Sequence, residues 1–344
     1  MEGAGVRILF VAPLYDYGIR ERGYGFEYYN FFESLVDMGH EVTYFDIHLH
    51  RAGDAATSTL IKLVTKTRPD LLFSCLFREE LDPIGIRQIS ESGDTVTFNW
   101  FCDDHWRFDD FTVNWAPCFN FVSTTAASAL PRYRAAGISH VLQTQWGAAT
   151  HRYKPGNRPQ RHDVTFVGQN YGSRSEVIGL IRESGIDVRT WGAGWGIGRW
   201  QRRGLSTRGV SQLGGARYLR HLEGLTRTSQ DEMIAIFEQS CVSLNLTESS
   251  QGAERQIKGR VFEIPACRGL LLTGDAEGLE QYYEPGREIL IYDDVSEVVA
   301  LCRYHIENQD RRDRIAEAGF RRTLAEHSYR QRFSRLFAQM NLNA

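Results

Sequence analysis

Short apolar runs alternate with amphipathic stretches along the whole chain, and that alternation predicts its elements. The run VRILFVAPL, residues 6–14, reads as the first strand of a parallel sheet. A loop carrying Gly18, Gly23 and Gly25 follows, and then an apolar-periodic helix over residues 26–38 that Gly39 stops at a C-cap position. The same pattern predicts strands over 42–47, 71–77, 96–101, 119–123 and 141–145, and helices over 55–67, 83–92 and 125–136. Strands separated by helices of roughly 10–15 residues call for a parallel sheet with helices on both faces. Residues 1–150 are therefore expected to form one Rossmann-like domain.

Periodicity lapses in GAATHRYKPGNRPQRH, residues 147–162, where proline, glycine and basic residues accumulate, and residues 151–162 read as a linker. Alternation then resumes, with strands expected over 164–167, 187–191, 241–246, 270–273 and 288–292. Helices are expected over 176–184, 231–239, 255–267, 295–307, 311–326 and 329–341. A second Rossmann-like domain over 163–325 follows, with 326–344 a helix long enough to cross back toward the first domain. The fold class is α/β, two domains with a cleft between them. No internal repeat of fixed period is present.

Composition narrows the function. In 344 residues, 42% hydrophobic and 24% charged, there is enough apolar material for two cores. Forty basic against 43 acidic residues leave a formal charge of -3, which gives no reason to expect a nucleic-acid partner. The six cysteines lack CxxC or Cys/His metal spacing and read as buried thiols in a reducing compartment. The first apolar run is too short for a signal segment, and none approaches the ~18–20 residues that span a bilayer. The expectation is a cytoplasmic protein, with peripheral membrane contact left open.

Candidate chemistry concentrates in a β-loop-α-β unit. A strand over 241–246 leads into a polar loop with Thr247, Glu248, Ser249, Ser250 and Gly252, and then into the helix predicted over 255–267. Ligands of open α/β sheets sit at the carboxyl ends of strands, where helix N-termini attract phosphate. Lys258 and Arg260 suit a diphosphate there, and Glu263 suits the paired hydroxyls of a ribose. The same spacing also fits an ordinary solvated helix face.

The order KGRVFEIPA, then CRGLLLTGDAEGLEQYYEPGREILIYDD, then AGFRRTLAEHSYRQRF, resembles the C-terminal half of the CgeB-like (spore maturation protein B) family of bacterial glycosyltransferases. The likeness covers roughly residues 163–337. It implies the GT-B architecture: a C-terminal domain holding the nucleotide of a nucleoside diphosphate sugar donor, and an N-terminal domain holding most of the acceptor. By that resemblance Lys258 and Arg260 meet the leaving diphosphate and Glu263 the ribose. Thr247 joins them from the polar loop, and Gly168, Asn170 and Arg174, from the loop GQNYGSR, line the phosphate site. Without the resemblance that loop is an ordinary turn with Ser173 as N-cap.

In the first domain, NWFCDDHWRFDDF comes off the carboxyl end of a predicted strand. Asp103, Asp104 and His105 stand there among aromatic residues and are the catalytic candidates, set to take a proton from an acceptor hydroxyl or to position it. A capping Asp104 and a merely exposed His105 are the plain alternative. Glu254 and Glu263 resemble the two-glutamate motif of the large retaining families, but the eight residues between them exceed that motif's gap by one, so Glu263 is the better match and no stereochemistry follows. No cofactor and no metal are expected, since helix dipoles and basic side chains replace the metal at the diphosphate of such enzymes. The glycine-rich WGAGWGIG, residues 191–198, fails the context test for a dinucleotide fingerprint. The arginines between 199 and 220 read as a solvated loop or an anchor for an anionic acceptor or lipid headgroup.

The leading reading is a metal-independent, hexosyl-type glycosyltransferase with a glycan, lipid-linked, protein or small-molecule acceptor. A nucleotide-sugar epimerase of the same architecture and a non-catalytic surface or coat assembly module are the alternatives.

Overall fold

The computed structural model describes residues 5–50, 53–196, 227–251 and 254–342, together with 204, 207, 215 and 218. Its chain divides into two compact units: residues 1–152 with 326–344, and residues 153–325.

The first unit is built on six parallel strands: β1 (Arg7–Ala12), β2 (Glu41–Asp46), β3 (Leu71–Ser74), β4 (Val96–Trp100), β5 (Phe121–Thr124) and β6 (Val141–Gln143), in the order β2-β1-β3-β4-β5-β6. β3 is buried throughout and β1 in all but its first residue, as expected of parallel strands covered on both faces. The helices are α1 (Glu33–Asp37), α2 (Asp54–Thr67), α3 (Pro83–Ser92), α4 (Asp104–Arg107), α5 (Val113–Trp115) and α6 (Leu130–Ala135). α3 shows why such a segment is helical: Asp82 accepts from the amides of Ile84 and Gly85, Pro83 opens the first turn, and Gly93 ends it at φ +75°. The single helix expected over 26–38 is interrupted by a π turn, Tyr28–Phe32, and a second π turn, Phe108–Thr112, follows α4. The helix expected over 125–136 begins instead as a 3-10 turn, Ala127–Ala129, and becomes regular only where Pro131 sits in its first turn.

The second unit has five parallel strands: β7 (His162–Val167), β8 (Val188–Trp191), β9 (Ser240–Asn245), β10 (Leu271–Gly274) and β11 (Leu290–Tyr292), ordered β11-β10-β9-β7-β8. Among the described residues its helices are α7 (Arg174–Glu183), α8 (Gln230–Glu238), α9 (Arg260–Ala266), α10 (Val295–Glu307) and α11 (Gln309–Glu326). Val164, Phe166, Ile178, Val242, Leu244, Leu272 and Val298 form the middle of its core. The last helix, α12 (Tyr329–Gln339), belongs to the first unit. Its Tyr329 and Phe333 rings lie 5.2 and 5.7 Å from Phe31, and Ser328 and Gln331 form a capping box at its start.

In both units the second strand pairs outside the first, and the third pairs on the first strand's other side. The chain thus reverses direction across the sheet between β1 and β3, and again between β7 and β9. Loops leaving two such neighbouring strands diverge to opposite faces and leave a crevice at the carboxyl edge.

One expectation needs correcting. The helix predicted over 255–267 spans only Arg260–Ala266. Arg255 instead forms an antiparallel bridge with Glu248, and the Gln256 amide donates to the Thr247 carbonyl at 2.9 Å. This back-folding withdraws residues 255–259 from the helix, and Pro265 removes a further amide from its ladder. Little macrodipole is left at its N-terminus, so side-chain charge carries more of any phosphate binding there.

Candidate active site

At the switch point of the second sheet, the loop after β7 and the loop after β9 are stitched together. Gly168 is buried, where an added Cβ would lie 2.8 Å from the Phe166 ring. Its carbonyl accepts from Trp195 Nε1 at 2.7 Å. Asn170 donates its amide to the Ala193 carbonyl at 2.8 Å and its Nδ2 to the Gly194 carbonyl at 3.3 Å, which joins this loop to the glycine-rich turn after β8. Gly192, at φ +127°, passes so close that a Cβ there would stand 2.2 Å from the Gly168 oxygen. The described part of WGAGWGIG, residues 191–196, is thus a tight turn packed on the β7 loop, and Ile197 and Gly198 lie outside the described residues. The arginine-rich 199–220 segment falls outside them as well, since none of its arginines is described.

Arg174 does not have the open position expected of a phosphate ligand. It is 5% exposed, with its guanidinium 3.7 Å from the Tyr171 ring centroid, and it donates to the carbonyls of Gln169 (2.9 Å) and Leu246 (3.1 Å). Burial pulls its pKa down to about 10. Nearby charges, Arg260 among those lowering it and Glu248 among those raising it, place Arg174 within electrostatic reach of both. Its cation is spent on holding two loops and an aromatic ring in register. Thr247 is also engaged, donating to the Asp275 carbonyl at 3.0 Å.

Around this frame lies a set of unsatisfied polar atoms. Glu248 accepts from Ser173 Oγ through Oε1 at 2.6 Å, while its buried Oε2 has no hydrogen-bond partner among the described residues. Gln256 Oε1 and Arg260 Nε are likewise buried and unpartnered among them. A buried polar atom left without a partner costs about 1–3 kcal/mol, and three of them fall on one loop and the helix it enters. Lys258 and Arg260 are half-buried beside them. Glu263 faces inward on α9, 2% exposed; burial pushes its carboxyl pKa up, against the Arg260 charge and a hydrogen bond from Tyr153. Sequence reasoning singled out Lys258 and Arg260 but passed over Glu248 and Gln256 as ligand contacts. The only signal for those two was an unusually polar stretch, TESSQGAERQ, in the loop and at the first residues of the helix expected to follow it.

In the first unit, Asp103, Asp104 and His105 follow β4 as expected, but they differ in availability. Asp104 is 1% exposed and accepts from Thr112 Oγ1 at 2.6 Å and from the Tyr133 hydroxyl at 2.8 Å, while burial raises its pKa. It ties α4 to α6 and the following π turn, in place of the open catalytic position expected of it. Asp103 and His105 remain half-exposed on either side of it. Asp109, exposed, pairs with Arg132 at 2.5 Å. Among the described residues, no group of three His, Cys, Asp or Glu side chains is arranged to hold a metal, and no helix is long and apolar enough to cross a membrane.

Residues 174–338 match the protein family described as glycosyl transferase-like. The match runs from the first residue of α7 into α12 and takes in the β9 loop with its unsatisfied atoms. No curated protein sequence matches the chain. Solved structures resemble it nearly end to end. A glycosyltransferase from Rickettsia africae ESF-5 is 11% identical with a TM-score of 0.62, over 99% of this chain and 100% of that one. The sucrose-phosphate synthase of Thermosynechococcus elongatus is 11% identical at 0.62, over 97% and 99%. Anabaena HepE in complex with UDP-glucose is 11% identical at 0.59, over 98% and 99%. At such identities the likeness establishes the fold, which is the GT-B arrangement of two parallel-sheet α/β units. The family match and this fold agree with each other, and neither favours the epimerase or assembly-module alternatives.

Proposed function

We propose that the protein transfers a hexose-type sugar from a nucleoside diphosphate sugar to an acceptor hydroxyl, as a CgeB-like glycosyltransferase that needs no metal. The observation that carries the donor site is the set of unpartnered atoms on Glu248, Gln256 and Arg260 at the carboxyl end of β9. Carboxylate and amide oxygens there accept hydrogen bonds from ribose or sugar hydroxyls, while the guanidinium donates to phosphate. Lys258 and Arg260 would stabilise the diphosphate as it leaves, the backbone of Gly168 and Asn170 would approach it closely, and Glu263 would hold the ribose. Arg174 would serve this site by fixing both loops. In the transfer, the acceptor oxygen bonds to the anomeric carbon as that carbon's bond to the diphosphate oxygen breaks. Asp103 and His105 are the groups assigned to the acceptor hydroxyl and its departing proton.

UDP is the first nucleotide to test, because the Anabaena HepE structures hold UDP and UDP-glucose. Thermal unfolding with UDP, GDP, dTDP, CDP and ADP, each with and without EDTA, checks the proposal. A ligand at about 100 times its Kd adds roughly 2.7 kcal/mol of stability when it binds only the folded state. One nucleotide is expected to raise the melting temperature, with or without EDTA, and the rise should vanish in Glu248→Ala. No rise with any nucleotide would refute the donor site. Dependence on magnesium would refute metal independence alone.

A further inference from the structure

A groove of about 1050 Å³ opens in the second unit between α11, the segment leading into β11 and the residue after the end of α9. Close backbone approach builds its walls. Gly319 sits where a Cβ would lie 2.3 Å from the Glu288 oxygen, so α11 rests directly on that segment. Arg311 Nη2 donates to the Gly286 carbonyl at 3.1 Å, and Arg322 Nε to that of Tyr282 at 3.2 Å. Arg268, in left-handed backbone (φ +57°) just past α9, lays its guanidinium 4.7 Å from the Phe320 ring centroid.

Apart from Ala318, the residues lining the groove are charged, five arginines against four carboxylates, so its chemistry depends on which charges are already committed. Most of the carboxylates are. Glu317 lies between Arg268 Nε at 2.9 Å and Arg321 Nε at 2.7 Å, Glu288 accepts from the Glu284 amide at 2.8 Å, and Asp313 accepts from Gln309 Nε2 at 3.3 Å. Asp310 stands in the first turn of α11, where the helix dipole favours a negative charge. The arginines are held differently. Arg268, Arg314 and Arg321 are each anchored through Nε, Arg314 to the Asp310 carbonyl at 3.1 Å. None of their Nη nitrogens has a hydrogen-bond partner among the described residues. Each keeps an unused fork of N–H donors. Arg321, with 77% of its side chain exposed, gives little stability through its pair with Glu317, so its charge is available to a ligand. Arg314 and Arg321 stand two turns apart on one face of α11, about 10 Å along its axis.

We propose that this groove binds a soluble linear chain of phosphoryl groups. A guanidinium fork matches phosphate oxygens bidentately, and forks spread over about 10 Å call for anions repeated along a chain, which a single orthophosphate does not supply. A bilayer surface fits less well, because the groove is concave and lined by no large apolar residue among the described ones. The groove shares no residue with the donor site, so the two readings stand or fall separately.

Isothermal titration of the full chain with linear polyphosphate, orthophosphate, poly-glutamate and phosphatidylglycerol vesicles is the test. Polyphosphate is expected to bind more tightly than orthophosphate, with an affinity that falls as salt is raised. The double variant Arg314→Ala/Arg321→Ala should lose about tenfold or more of that affinity. Lys62→Ala/Lys66→Ala, which removes the same charge from exposed positions of α2 in the first unit, should keep it. Thermal unfolding checks that both variants are folded, and Arg314→Ala alone, whose guanidinium is held by one main-chain carbonyl, supplies the reading should the double variant unfold. The proposal is overturned by absence of polyphosphate binding, by an equal loss in the two double variants, by poly-glutamate binding as tightly, or by binding to vesicles in place of polyphosphate.

Discussion

Arg174 on α7 donates to the main-chain oxygen of Leu246 at 3.1 Å, reaching from the loop after β7 to the end of β9. That bond closes the switch point from within, and three further contacts of the same guanidinium, to Gln169, the Tyr171 hydroxyl and the Tyr171 ring, immobilise it. Arg174→Ala is expected to lower unfolding stability by about 2–4 kcal/mol, because it leaves buried carbonyls without a donor and removes packing under Tyr171. Arg174→Lys should recover less than half of that, since an ammonium cannot serve several carbonyls in one plane. Urea unfolding of both variants checks this; a near-neutral alanine variant would mean that the guanidinium has no structural role.

Gly192 provides a separate check on the same loop. At φ +127° with the Gly168 oxygen where its Cβ would be, Gly192→Ala combines backbone strain with a backbone clash. The expected cost is on the order of 2–4 kcal/mol, and nucleotide affinity should weaken as Gly168 and Asn170 shift. Gly172→Ala is the control, also at positive φ (+59°) but with nothing within 4 Å of the added carbon. It should cost only about 1–2 kcal/mol and leave affinity intact.

In the proposed mechanism Lys258 and Arg260 act on the leaving group. Lys258→Ala and Arg260→Ala should each lower turnover about 10²-fold or more, in the way that removing one preorganised oxyanion donor does. Their circular dichroism spectra should match that of the wild type, because neither side chain is part of the sheet cores. Steady-state transfer from the nucleotide sugar that thermal unfolding selects is the measurement, and normal turnover in both variants would remove them from the mechanism.

Glu27 predicts a pH dependence of stability. Burial, with Asp16 adding repulsion, raises its carboxyl pKa from 4.5 to about 7. Tyr44, Cys75 and Cys102 are the other titratable groups that its charge reaches. A carboxyl with a raised pKa binds its proton more tightly when folded, so stability falls as pH rises from about 4.5 toward 7, and the full cost persists above that range. Glu27→Gln should therefore be more stable than the wild type at pH 8, by up to about 3 kcal/mol, and the difference should close near pH 4. Denaturant unfolding at the two pH values reads it; a variant less stable at pH 8 would show the carboxylate to be stabilising.

The two α/β units were legible in the sequence because each strand and helix announces itself locally. An apolar run such as RILFVA is buried on both faces wherever it pairs, and α3 carries its own start and stop in Asp82, Pro83 and Gly93. Lys258 and Arg260 stand half-buried at the mouth of the βα loop where the sequence places them, because that position depends on neighbouring residues and not on distant partners. Tertiary structure decided which polar groups the fold consumes. Arg174 and Asp104 look like site residues in one dimension, yet both are committed to partners such as Leu246 and Tyr133, 72 and 29 residues away. Glu248, Gln256 and Glu27 gain their importance only from burial and from what surrounds them. Periodicity is a property of neighbouring residues, whereas desolvation and hydrogen-bond satisfaction belong to groups that meet only when the chain has closed.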